Sequence, residues 1–168
     1  AYCQLSRRQA ALYQQAVKEL AEQLEGAEGI RRKGLVLAFL MRFKQICNHP
    51  SQWLGDGAWA EDDSGKWARL RELLEVIAAR QEKALVFTQY PGFDRIVPHL
   101  HERLGREIGF FHGGLPARQR DELVASFTEP EGPSVLVISI RAGGRGLNLP
   151  AANHVFHFDR WWNPAVEQ

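Results

Sequence analysis

The second half of the chain predicts an α/β fold built on a parallel sheet. Two observations carry this expectation. Apolar, β-branched runs recur at residues 84–88 (Ala-Leu-Val-Phe-Thr), 108–111 (Ile-Gly-Phe-Phe), 135–140 (Val-Leu-Val-Ile-Ser-Ile) and 154–158 (His-Val-Phe-His-Phe). Near-continuous runs of this kind suit strands covered on both faces. Stretches with helical spacing separate the first three runs, and strand–helix–strand alternation gives parallel pairing through right-handed crossovers. The turns that leave the strands then gather on one edge of the sheet, where ligands of such folds bind. Residues 88–89, 112–114 and 139–148 belong to that edge.

Composition sets the class. The chain has 168 residues, 45% hydrophobic and 24% charged, with a formal net charge of +1. These are ordinary values for a globular domain. No run approaches the roughly 18 apolar residues of a membrane span, and no signal peptide is visible, so no membrane partner is expected. Two cysteines, Cys3 and Cys47, make neither a disulfide framework nor a zinc quartet, and an intracellular setting is the default. The charge is uneven. Residues 1–50 hold eight Lys/Arg against four Asp/Glu, and the remainder is net acidic. A basic helical end suits phosphates or, equally, a solvated helix face.

The first 80 residues read as helical. Ser6 and Gln9 form a capping-box pattern. Tyr13, Ala16, Val17, Leu20 and Leu24 follow at helical spacing, and Gly26 and Gly29 end the run. Val36, Phe39, Leu40, Phe43 and Ile46 mark a second helix that stops at Asn48-His49-Pro50. Cys47 and His49 are better explained by packing and helix termination than by a metal, since no further cysteine lies near. Residues 51–63 are expected to be a loop whose acidic cluster, Glu61-Asp62-Asp63, faces solvent. Ser64-Gly65-Lys66 imitates the tail of a phosphate-binding loop but lacks its first glycine, and Trp67 replaces Ser/Thr. A helix with Trp67, Leu70, Leu74 and Ile77 on one face follows.

From residue 83 strands and helices alternate. Phe93, Ile96, Val97, Leu100 and Leu104 give a helix stripe interrupted by Pro98, which predicts a kink or a late helix start. His112-Gly113-Gly114 is a turn. Pro116 suits the first turn of a helix whose Leu123, Val124 and Phe127 face the sheet. His154 and His157 sit three apart on a strand and point to opposite faces, which argues against a shared metal. Trp161 and Trp162 are expected in the core.

The stretch at residues 134–164 carries the most chemistry. Between two strands lie Gly143, Gly144 and Gly146. A turn without Cβ atoms lets the backbone approach a ligand, and N–H groups at a strand's carboxyl end can hold phosphate. The turn alone is better explained by its own geometry. The full string, however, resembles motif V and the following tryptophan block of the Swi/Snf family of helicase-like DNA translocases, in helicase superfamily two. The matching residues are Ser139, Ala142-Gly143-Gly144, Gly146-Leu147-Asn148-Leu149, Ala151-Ala152-Asn153, Asp159 and Trp162-Asn163-Pro164. Arg141 stands where the family usually has lysine, which keeps the charge and changes the fork geometry. Residues 83–90 resemble motif IV, residues 111–127 the next block, and residues 45–50 a block that precedes the second motor lobe.

The resemblance implies a RecA-like lobe over residues 81–168, stopping short of motif VI, with the helical segment 1–80 leading into it. It implies the second lobe of a two-lobed, ATP-dependent double-stranded DNA translocase or chromatin-remodelling-like motor. Ser139, Arg141, Gly143 and Gly144 would lie near the DNA backbone, with Thr88, Gln89, His112 and Gly113 helping to grip the tracked strand. Gly146, Leu147 and Asn148 would face the cleft near the nucleotide. Trp162, Asn163 and Pro164 would steady the lobe interface.

The 168 residues contain no Gly-x-x-x-x-Gly-Lys-Ser/Thr and no strand-borne acidic pair. A phosphoryl-transfer motor needs both. The resemblance places them on a first lobe ahead of Ala1, so ATP and Mg²⁺ would be held mainly there, no residue of this chain is assigned a catalytic role, and the chain alone is expected to be inactive. It also implies a continuation past Gln168 into motif VI, whose arginines reach the γ-phosphate. Expected partners are duplex DNA, that first lobe and a DNA-bound protein. Expected localisation is the nucleoid-bearing cytoplasm of a bacterium or the nucleus of a eukaryote. Two other readings remain: a non-catalytic interaction module that kept the fold, and a lobe acting on RNA.

Overall fold

The computed structural model describes residues 1–89, 93–94, 97–140, 142 and 147–159. The chain divides into two compact units, Ala1–Arg69 and Leu70–Gln168.

The first unit is helical. Helix α1 (Arg7–Leu24) opens on the expected capping box: the Ser6 hydroxyl accepts from the Gln9 N–H at 3.0 Å, and the Gln9 carboxamide accepts from the Ser6 N–H at 3.0 Å. Helix α2 (Gly29–Asn48) packs on α1 through a core of Ala16, Phe39 and Ile46, with Leu12, Tyr13, Leu20 and Phe43 around it. The Tyr13 and Phe43 rings stand 4.6 Å apart. Gln9 is wholly buried, and its amide donates to the carbonyls of Ile46 and Cys47, both at 2.9 Å. One glutamine thus caps α1 and ties it to the end of α2.

The loop expected over residues 51–63 is corrected in two places. Helix α3 (Pro50–Leu54) starts at once, because Pro50 fits the first helical turn and His49 caps it, Nδ1 accepting from the Ser51 N–H at 3.1 Å. Glu61–Asp63 form a 3₁₀ turn. Asp63 accepts from Arg8 at 2.5 Å, Arg8 also reaches Asp56 at 2.7 Å, and the Ser6 hydroxyl donates to the Asp63 carbonyl at 2.6 Å. The cluster is therefore pinned to the start of α1, and only Asp62 of the three is exposed. Both ring nitrogens of His49 are committed, Nε2 to the Ala60 carbonyl at 2.8 Å.

The phosphate-loop imitation at residues 64–66 has structural work. The Ser64 hydroxyl accepts from the Trp67 N–H at 3.1 Å and donates to the Asn48 carbonyl at 2.5 Å. A Cβ on Gly65 would stand 1.8 Å from the Gln4 carbonyl oxygen, so only glycine fits. The Lys66 ammonium donates to the Asn48 side-chain oxygen at 2.7 Å. Helix α4 (Gly65–Ala79) begins here, and its predicted stripe of Trp67, Leu70, Leu74 and Ile77 is buried throughout.

The second unit holds the sheet: β1 (Ala84–Thr88), β2 (Ile108–Phe111), β3 (Val135–Ser139) and β4 (His154–His157), all parallel, in the order β2-β3-β1-β4. The α/β class is as the sequence predicts. Helix α5 (Val97–Leu104) starts one residue before Pro98, the late start that a proline imposes. Helix α6 (Ala117–Thr128) has Pro116 at its N-cap, one position earlier than expected. Its Leu123, Val124 and Phe127 pack on a core of Leu85, Phe111, Leu136 and Ile138. Central strands β1 and β3 are almost wholly buried, whereas β4 alternates between half-buried and exposed residues. Two-sided burial was expected of all these runs. It fails at β4, and edge position alone does not account for it, since β2 at the other edge of the described sheet is almost wholly buried.

Lys83, just before β1, fastens the sheet to α6. Its ammonium donates to the carbonyls of Phe127 at 2.7 Å, Glu129 at 2.6 Å and Pro133 at 3.3 Å, and it lies 5.2 Å from the centre of the Phe127 ring. A cation at a helix C-terminus satisfies carbonyls that have no helical partner and complements the dipole.

Candidate nucleic-acid interface

The register places the candidate residues. Thr88 of β1 lies beside Ser139 of β3, Phe111 of β2 beside Ile138, and Phe87 beside His157 of β4. All four strands therefore end level, and the turns that follow leave the same edge. The ladder continues one step past the strands, with Ile140 N–H donating to Thr88 O at 2.8 Å and Phe158 N–H to Phe87 O at 2.9 Å. Thr88, Gln89, His112, Gly113 and Ser139 are thus brought together at one edge.

Each is held differently. The His112-Gly113-Gly114 turn is built locally: Gly114 N–H donates to His112 Nδ1 at 3.2 Å, Leu115 N–H to His112 O at 3.1 Å, and the His112 ring stands 4.9 Å from that of Phe110. Arg120 of α6 donates from Nε to the Leu115 carbonyl at 2.9 Å, bracing the same loop. Gly113 is exposed, and Ser139 is half-buried. Ala142 N–H turns back to Ser139 O at 2.8 Å, starting the glycine-rich turn. Arg141, Gly143, Gly144 and Gly146 lie outside the described residues, as do Trp161, Trp162, Asn163 and Pro164.

Downstream of the turn, Leu147 packs half-buried against the sheet core with Leu149, Ala151 and Ala152, while Asn148 is exposed. Alternation of this kind anchors the segment and leaves one polar side chain outward.

Thr88 and Gln89 are not open donors. Thr88 is wholly buried, and its hydroxyl donates to Asp159 Oδ2 at 2.7 Å. The Gln89 N–H donates to Asp159 Oδ1 at 2.7 Å. Asp159 is 4% exposed. Sequence reading marks Asp159 through the resemblance and gives it no role. The pairing spans 71 residues and leaves no local pattern to read.

The two histidines of β4 part as expected. His154 pairs with Glu82 at 2.6 Å, and His157 stacks on Phe87 at 5.5 Å. Among the described residues no group of three or more His, Cys, Asp or Glu converges as metal ligands, and no helix is long and apolar enough to cross a membrane. A polar cavity of about 500 Å³ opens at the opposite, amino edge of the sheet, between Gln81–Lys83, Arg106, Glu107, residues 130–132 and Ser134. It is remote in the fold from the strand-end turns.

Comparison with known proteins places this arrangement. Residues 65–168 match the model of the helicase conserved C-terminal domain. YwqA of Bacillus subtilis (strain 168), assigned by its name to ATP-dependent helicase/translocases, is 44% identical over 97% of this chain and 18% of its own length. A mouse SWI/SNF-related matrix-associated actin-dependent regulator of chromatin, subfamily A member 1, is 30% identical over 99% of this chain and 17% of its own. The chain therefore spans under a fifth of these relatives. The Sulfolobus solfataricus SWI2/SNF2 ATPase C-terminal domain superposes with a TM-score of 0.89 at 37% identity, covering 98% of this chain and 72% of that one. The core of the same ATPase in complex with double-stranded DNA superposes with a TM-score of 0.89 at 36% identity, over 98% of this chain and 35% of that one. With its parallel sheet, its level strand ends and this likeness, the chain belongs to the helicase conserved C-terminal domain family, as a RecA-like C-terminal lobe of the Swi/Snf type.

Proposed function

We propose that the chain is the second motor lobe of an ATP-dependent double-stranded DNA translocase, gripping the DNA backbone with its strand-end turns and forming one wall of the nucleotide site. The observation that carries this reading is the superposition on a SWI2/SNF2 core solved with double-stranded DNA, over 98% of the chain. The aligned strand ends support it, since a translocase holds phosphates and reads no bases.

The chain's own residues do three things in this reading. The turns at His112-Gly113 and Ser139 onward present polar backbone to the duplex, backed by the buried Thr88 and Gln89, with Arg141 as the cation and Gly143 and Gly144 allowing close approach. The segment Gly146-Leu147-Asn148 lines the cleft near the nucleotide; Leu147 anchors it in the sheet core and Asn148 is exposed. Trp162, Asn163 and Pro164 support the lobe interface. The triphosphate and its Mg²⁺ belong to a first lobe with a phosphate-binding loop, where the metal neutralises charge that develops on the transferred phosphoryl group. A DNA-bound protein is the natural object of such a motor.

A steady-state ATPase assay of the chain with and without duplex DNA tests the division of labour. Turnover indistinguishable from a no-protein control is expected. Duplex-stimulated turnover by the chain alone overturns the two-lobe assignment.

A further inference from the structure

Thr88 and Gln89, which the resemblance assigns to gripping the tracked strand, both donate to one internal anion, through the Thr88 hydroxyl and the Gln89 N–H. Asp159 takes the Thr88 hydroxyl on Oδ2 and the Gln89 N–H on Oδ1, each at 2.7 Å. Bonds this short suit an ionised acceptor. Burying a carboxylate at 4% exposure is tolerable only with such partners. Its place is fixed from both sides. Phe158 N–H pairs with Phe87 O at 2.9 Å, and the Phe158 ring meets Phe93 edge-on at 4.8 Å. The carboxylate therefore bolts the carboxyl end of central strand β1 to the carboxyl end of β4. Thr88, wholly buried, is out of reach of a polyanion.

We infer that Asp159 is a positioning residue: it locks the carboxyl ends of β1 and β4 together and so holds the strand-end edge that meets the DNA backbone, and Thr88 acts through it and touches no phosphate. This rests on the backbone-gripping reading above and assigns Thr88 a different task within it. The chemistry makes a distinctive demand. A carboxylate facing the duplex repels it, so neutralising that charge tightens binding. A carboxylate that holds the strand-end edge does the opposite, since its loss loosens the edge and weakens binding.

The test is fluorescence-anisotropy titration of the 168-residue chain with two unrelated duplexes over a salt series, for Asp159→Asn, Thr88→Val and Thr88→Ser. Urea unfolding normalises each variant to its folded fraction. Asp159→Asn and Thr88→Val are expected to weaken binding about tenfold or more at every salt concentration, the equivalent of one charge-assisted hydrogen bond, with the slope of log K against log salt unchanged. Thr88→Ser, which keeps the hydroxyl, is expected within about twofold of the unsubstituted chain. Tighter binding by Asp159→Asn, or a loss of stability in both variants with affinity per folded molecule unchanged, overturns the inference. The Gln89 amide resonance of the free chain separates its failure from that of the underlying reading. An amide unmoved by Asp159→Asn overturns the tether itself. An amide that moves, in a chain that binds no duplex, overturns backbone gripping and with it the role assigned here.

Discussion

Replacing Lys83 by methionine isolates one cation that holds the sheet to α6. The ammonium makes two short bonds, to Phe127 O at 2.7 Å and Glu129 O at 2.6 Å, and a longer one to Pro133 O at 3.3 Å. Net hydrogen bonds to charged groups are worth about 1.5–3 kcal/mol each, so the two short ones supply roughly 3–6 kcal/mol. Ordering a lysine side chain costs about 2 kcal/mol, and water replaces part of what the exposed Glu129 carbonyl loses. Burial also pulls the Lys83 ammonium below its usual pKa range, a cost that methionine avoids. Methionine keeps the aliphatic contact with Phe127. A net loss of about 2 kcal/mol follows, equivalent to about 4–8 °C in Tm for a chain of this size. Urea unfolding followed by far-UV circular dichroism should show a lower midpoint at unchanged slope. Lys83→Arg, which keeps the charge, should fall between. A methionine variant as stable as the parent would refute the reasoning, since it would mean that the three carbonyls are equally well served by water.

Three further outcomes are expected. Burial holds the His49 imidazole below its ordinary value, and its Nδ1 accepts a backbone N–H, so the folded state favours the neutral ring. The unfolded chain takes its proton near the ordinary value of about 6.5, so this contribution to stability is complete above that pH and is lost as pH falls towards the depressed folded value. Urea midpoints at pH 7.5 and pH 5 should differ accordingly, and the difference should shrink in His49→Gln. Gly65→Ala would put a methyl 1.8 Å from the Gln4 carbonyl, so residues 1–5 should be displaced, which limited proteolysis reads as faster cleavage ahead of α1. Arg141→Ala should weaken binding to unrelated duplexes about equally, seen by anisotropy, because a phosphate contact carries no base information.

Much of the framework was legible in the sequence because its signals are local. The run at residues 84–88 became β1 with the same ends, since a buried apolar strand bounded by Lys83 and a polar turn has few alternatives. Ser6 with Gln9 gave the capping box, and Pro98 fixed the start of α5. What could not be read depends on partners far along the chain. Asp63 looks like solvated loop until Arg8, 55 residues earlier, closes on it. Thr88 looks like a phosphate donor until Asp159 takes its hydroxyl. Ser64-Gly65-Lys66 looks like a piece of nucleotide chemistry until Asn48 and Gln4 explain every member of it. At the interface, the edge on which the turns gather was predictable from topology, but the donors available on that edge were not, because hydrogen bonds across the sheet decide which are already taken.

The central claim, that this lobe grips duplex DNA by its backbone, is tested most directly by anisotropy titration of the chain against several unrelated duplexes between about 50 and 200 mM salt, the range over which counterion release dominates. The account predicts weak binding, the same for every sequence within about twofold, and falling steeply and linearly on a log–log plot as salt rises, with a slope of only a few because one lobe neutralises few phosphates. Binding that selects among the sequences, or that holds constant as salt rises, would contradict it.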